Sequence, residues 1–256
     1  MHLYRSTSIL LLASICLSAC NQHYYAPALY KNNISYQAKP MSGDSVKSAT
    51  YVSGGLGAAT GVSLSDDIYM GQLSLDRAHT FDNLNIAYGV FGYAGSYENT
   101  TLQPTDAHYF TNQSFAGIGA RGSANLSIPL KNVDLRVIGV EFSYSKEFGA
   151  YADFRSAVKS DQNFYTDASN VIFGGGLTTE VAWRGRHNPQ LHYAARGYVG
   201  TTFGNHALTN NFDAQREYTS DQVNVGASFF MQVKNYCFTV EKQYLINTSI
   251  KFGYKF

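Results

Sequence analysis

From Ser48 to Phe256 one unit recurs: a run in which apolar and polar residues alternate, then a break rich in Asn, Asp, Gly or Pro. The runs are 48–62, 68–80, 83–97, 115–130, 135–154, 171–186, 190–203, 222–234, 237–245 and 248–256. A two-residue period is the signature of a β-strand with unlike faces. No stretch carries a strong helical period. The breaks alternate in length. "FDN" (81–83), "KNVD" (131–134), "HNP" (187–189) and "NY" (235–236) are short; 98–114, 155–170 and 204–221 are long and polar. "SLSDD" (63–67) and the turn at Ile246 and Asn247 are short exceptions among the long class. Transmembrane barrels have short periplasmic turns and longer outward loops. The pattern predicts an all-β fold, an antiparallel up-and-down transmembrane β-barrel over 46–256. About ten strands are expected, within a range of eight to twelve.

Composition decides which face points inward. Charged residues are 14% and aromatics 14%, with 20 Tyr and 23 Gly, where a soluble domain carries about 25% charge. No run approaches the ~18 apolar residues of a membrane helix. In 135–147, Ile138, Val140, Phe142 and Tyr144 oppose Glu141, Ser143, Ser145 and Glu147; 177–184, 191–203 and 222–234 divide the same way. An unpaired charge buried in apolar surroundings costs several kcal/mol, so the polar face should line the lumen. Arg121, Glu141, Glu180, Arg184, His192, Arg196 and Glu241 then form a lumen charge cluster. It would line a narrow pore or pack as a salt-bridge plug; near eight strands, side chains fill a barrel.

The N-terminus reads as a targeting segment. Arg5 precedes the apolar stretch Ile9–Leu17, and Leu17-Ser18-Ala19-Cys20 resembles the lipobox of bacterial lipoproteins. That resemblance implies a signal peptide over 1–19 and a covalent diacylglycerol or acyl lipid, palmitate included, on Cys20. Cys16 lies in the same stretch behind a poorer match. Residues 20–45, punctuated by Pro27, Pro40 and Gly43, have no clean periodicity and read as a lipid-anchored tether. Processing removes Arg5 and leaves equal numbers of basic and acidic side chains, so no basic field invites nucleic acid. Cys237 is then the one unmodified cysteine, which excludes an internal disulfide and a cysteine metal cluster. No cofactor beyond the lipid, and no metal, is expected.

Ile250, Phe252, Tyr254 and Phe256 alternate to the end of the chain. They resemble the signal that outer-membrane barrels present to the barrel-assembly machinery. "GVEFSYSKEFGAYADFR" (139–155), with "YYAPALY" behind the lipobox, resembles the small uncharacterised β-barrel lipoproteins of Bacteroidota. This implies an outer-membrane barrel and carries no catalytic residues. The acidic residues that direct lipoproteins of that group to the surface are absent from "NQHYY". The expectation is therefore a lipid facing the periplasm, with both chain ends on that side.

Function is read as non-enzymatic: a structural, accessory or interaction role in the cell envelope. Three alternatives stay open. One is a narrow pore for small solutes. Another is a hydrolase using Asp106, His108, His206 and Asp213 at the outer rim, where a histidine base would need a carboxylate partner. The third is a soluble periplasmic barrel around a lipophilic ligand. Tyr69, Tyr88, Tyr144, Trp183 and Tyr254 suit interfacial girdles. Gly54, Gly55, Gly57 and Gly174–Gly176 suit bends in a curved sheet.

Overall fold

The computed structural model describes residues 23–30, 33–62, 66–161, 163–186, 188, 190–203, 208–209, 217–218, 223–243 and 247–256. Residues 1–19, Cys20, His206 and Asp213 lie outside the described residues.

The first element among the described residues is β1 (His23–Tyr25). The chain continues through β2 (Ser48–Thr60), β3 (Asp67–Thr80), β4 (Leu84–Glu98), β5 (Asn112–Pro129) and β6 (Val133–Phe148). After α1 (Ala150–Ala157) and a 3₁₀ turn (Val158–Ser160) come β7 (Phe164–Thr166), β8 (Val171–Arg184) and β9 (Leu191–Phe203). Then follow β10 (Leu208–Thr209), β11 (Glu217–Tyr218), β12 (Val223–Val233), β13 (Tyr236–Gln243) and β14 (Asn247–Lys255). Ten strands close in the order β12-β13-β14-β2-β3-β4-β5-β6-β8-β9. Every barrel pair is antiparallel, and β14 against β2 joins the last strand to the first. The expected meander is therefore what forms. β1, β7, β10 and β11 make a separate small sheet at the end of the barrel that carries the long connections.

Side-chain burial follows the alternation, with polar groups inside. On β6, Glu141, Ser143, Ser145 and Glu147 are buried, and Ile138, Val140, Phe142 and Tyr144 are exposed. On β8, Thr178 and Glu180 face in; Leu177 and Val181 face out. Arg196, Tyr198 and Thr202 of β9 and Asn224, Ser228 and Gln232 of β12 face in. A water-soluble barrel has the opposite sidedness.

The alternation fails once on β6. Its pairing with β5 and β8 shifts register between Arg136 and Gly139, and Val137 and Ile138 both point outward. This bulge inserts one residue. It turns Arg136 inward, where strict alternation from Ile138 would have put it outside. The run read as 135–154 also overshoots. Gly149, at φ 110°, ends β6, and the chain turns into α1. Tyr151, Arg155 and Val158, spaced four and three apart, are the buried face of that helical stretch. They are the helical signal that the strand-like aromatic pattern hid.

The stretch expected to be a tether has a different place. Residues 33–41 are buried throughout, polar and apolar alike. They touch inward side chains of β3, β6, β8, β13 and β14, which lie around the whole circumference. Only the lumen offers all of these at once. The segment enters at the long-connection end, where Ala28 N–H meets Glu147, and leaves at the short-turn end, where Ser42 N–H meets Asp134. Its lack of periodicity has a physical cause. A segment inside a ring of walls has no solvent face, so nothing selects for alternation.

Candidate functional site in the barrel lumen

The lumen is a stack of ion pairs, most of them between barrel strands, with the central segment hydrogen-bonded among them and adding Lys39 and Asp44. At the entry, Glu147 accepts Ala28 N–H at 2.7 Å and an Arg155 N–H from α1 at 2.7 Å. Thr202 Oγ1 donates to Tyr30 O at 2.6 Å. Below it, Asn33 lies against Gly174, where a Cβ would collide with the amide. This inward glycine of the "GGG" run admits the segment as well as bending the sheet.

At mid-depth, Glu241 accepts Ser35 Oγ at 2.8 Å, Tyr36 N–H at 3.2 Å and Lys251 Nζ at 2.8 Å. Arg196 donates to Glu141 at 2.6 Å and to Ser228 Oγ at 2.8 Å, lies 3.8 Å from Glu241, and sits over the Tyr36 ring. Across the lumen, Arg121 holds Asp76 through two bonds of 3.0 and 2.6 Å, and Gln37 Nε2 donates to the same carboxylate at 2.9 Å. Lower down, Glu180 accepts Tyr36 O–H at 2.8 Å and Arg136 at 2.5 Å, with Lys39 Nζ at 3.6 Å. Arg136 also donates to Pro40 O at 2.9 Å. At the exit, Arg184 Nη2 is 2.7 Å and His192 Nε2 3.7 Å from Asp44 Oδ1.

The seven residues expected in the lumen thus fall into groups. Arg196 meets both Glu141 and Glu241. Arg121 pairs with Asp76, Glu180 with Arg136 and Lys39, and Arg184 and His192 with Asp44 at the short-turn rim. The sequence reading missed four partners. Asp76 follows the alternation of β3 with outward Leu73 and Leu75 and was legible. Arg136 was hidden by the bulge; Lys39 and Asp44 were hidden in an aperiodic segment.

A cap of aromatic rings covers the long-connection end. Tyr25, Tyr97, Phe110, Tyr151, Phe154 and Phe164 stack or meet edge-on there. Burial pushes the Tyr25 and Tyr151 phenols well above their ordinary range and lowers the His23 imidazole. These phenols stay neutral and serve packing. Of the rim candidates, His108 lies 3.5 Å from Asp161, and Asp106 accepts Gln103 N–H at 2.7 Å within its own turn. The two are not brought together as a dyad. Among the described residues no three His, Cys, Asp or Glu side chains are grouped to hold a metal.

On the outer surface, Tyr88, Tyr236 and Tyr254 are exposed toward the short-turn end, where Trp183 stacks on Tyr193 at 5.5 Å. Tyr69, Tyr144, Phe148, Phe173 and Phe203 are exposed toward the other end. Ile250, Phe252, Tyr254 and Phe256 all point outward along β14 and its end.

No protein-family model matches the chain, and no curated protein matches it. Among solved structures it is similar to the translocator domain of the autotransporter NalP from Neisseria meningitidis. The identity is 9% over 84% of this chain and 89% of that one, with a TM-score of 0.45. An outer membrane channel from Pseudomonas putida F1 is similar at 10% identity, over 87% of this chain and 98% of that one, with a TM-score of 0.45. The beta domain of the Bordetella autotransporter BrkA is similar at 11% identity, over 82% and 99%, with a TM-score of 0.44.

Proposed function

We propose that the protein is a non-enzymatic outer-membrane barrel, closed by its own N-terminal segment, with a structural or interaction role in the envelope. One observation carries this reading: the segment fills the lumen and is hydrogen-bonded to its charged groups, so the wall supports the folded aromatic cap and no open pore. The apolar outer surface and the two aromatic bands suit a bilayer. The long connections then face outward and both ends of the barrel domain face the periplasm. Cys20 carries the lipid, and the outward residues of β14 engage the barrel-assembly machinery during insertion. Other envelope proteins would meet the cap.

The test compares wild type with Cys20→Ala in outer-membrane fractions. Both should remain in alkaline-washed membranes, and both should migrate differently before and after boiling in mild detergent. A Cys20→Ala chain released as soluble protein would sink the reading. A second test probes the outer face. Leu73 is 71% exposed near the middle of β3. Leu73→Arg should cost about 2–4 kcal/mol in lipid, as a charge at mid-bilayer does. Urea unfolding from vesicles measures it, and an unchanged midpoint would place Leu73 in water.

A further inference from the structure

We propose that the chain enters its own barrel from the outer face, so that the lipid on Cys20 sits in the outer leaflet of the membrane. This rests on the membrane-spanning reading above and replaces the expectation of a periplasm-facing lipid.

The direction of the central segment carries the argument. β1 pairs in parallel with β7, His23 opposite Phe164 and Tyr25 opposite Thr166. β7 lies between the end of β6 and the start of β8, in a long connection. Backbone bonds lock the pair at both ends: His23 N–H to Asn163 O at 3.0 Å and Asp167 N–H to Tyr25 O at 2.9 Å. Tyr25 is wholly buried in the aromatic cap, and Tyr151 O–H donates to Ala26 O at 2.8 Å. From there the backbone descends past Thr202, Glu241, Glu180 and Asp134 to Thr80, whose N–H meets Lys47 O at 2.8 Å beside the start of β2. The N-terminal end of the described chain is therefore at the long-connection end, and β2 begins at the other.

Reach then decides the leaflet. Three peptide steps separate Cys20 from His23, spanning at most about 11 Å. The apolar band of such a barrel is about 25 Å tall. A lipid on Cys20 cannot cross that band to the inner leaflet while β1 stays paired with β7. The outer leaflet next to the cap is the apolar phase within reach. The molecule would thus hold the outer leaflet through its lipid as well as through its strands.

The experiment uses the full chain with Cys237→Ser as background, carrying His23→Cys, Thr105→Cys or Asn235→Cys. Thr105 is exposed in a long connection and Asn235 is exposed in a short turn. A membrane-impermeant maleimide is applied to intact and to permeabilised cells, and acylation of wild type and Cys20→Ser is followed with a metabolic palmitate label. The expected result is labelling of His23→Cys and Thr105→Cys on intact cells, labelling of Asn235→Cys only after permeabilisation, and acylation lost in Cys20→Ser. Labelling of Thr105→Cys but not His23→Cys on intact cells overturns the inference and leaves the membrane reading standing. Acylation that persists in Cys20→Ser overturns the lipid part. Labelling of Thr105→Cys and Asn235→Cys alike, only after permeabilisation, overturns the membrane reading itself and the inference with it.

Discussion

A chain with residues 23–45 deleted, the signal peptide and Cys20–Gln22 joined directly to Val46, should conduct ions steadily in a planar bilayer where wild type is silent. The wall keeps most of its own pairs: Arg121 with Asp76, Arg196 with Glu141, Lys251 with Glu241 and Arg136 with Glu180. The barrel should therefore still form. What leaves is the backbone and side chains along the axis, among them Tyr36, Gln37 and Lys39. Water replaces them, because ten strands enclose slightly more than the roughly eight-strand barrel that side chains fill. Single-channel recording in potassium chloride reads the opening. A deletion variant as silent as wild type would mean that the wall collapses onto its own lumen.

The second large effect is expected at Glu180. Arg136 and Lys39 both depend on this carboxylate, and the Lys39, Arg136 and Glu180 side chains are all fully buried. Glu180→Ala leaves two cations without their shared counter-charge and Tyr36 O–H without its acceptor. Breaking a buried pair from one side costs about 3–5 kcal/mol. Trp183, the one tryptophan of the chain, lies three residues along the same strand and gives a fluorescence readout of urea unfolding. Replacing Lys39 and Arg136 with Met and Glu180 with Leu together should cost less than Glu180→Ala alone, since exchanging a buried ionic group for apolar side chains of similar volume is often neutral. If the triple variant proves the weaker protein, the ionic group itself stabilises the lumen.

The wall was legible in the sequence because its strands obey one rule on both faces. With an apolar outer face and a polar lumen, residues such as Val140 and Glu141 must alternate, and the strand bounds follow from the Gly, Asn and Asp breaks. What was not legible is the part that obeys no period. Lys39 and Tyr36 lie in a segment enclosed on every side, so its composition resembles a linker. Arg136 lies one residue before a bulge, and α1 carries aromatics that continue the look of β6. The candidate site was thus half visible: most of its wall acids and arginines could be named, while the segment packed among them could not.

The seam between β2 and β14 has a consequence for assembly order. It joins the first and last strands of the barrel, pairing Gly55 with Lys251. Gly55 leaves room for the Lys251 side chain, whose Cγ would lie 2.5 Å from any Cβ placed there. That same lysine bonds Ser35 and Glu241, and Ser35 and Glu241 are 206 residues apart in sequence. Contacts this distant form late and slowly. Until β14 arrives, the sheet is open along one side, and residues 33–41 can be laid into it sideways with no free end drawn through a finished ring. Shutting the ring and seating its centre are then one cooperative event, with Lys251 as the residue they share.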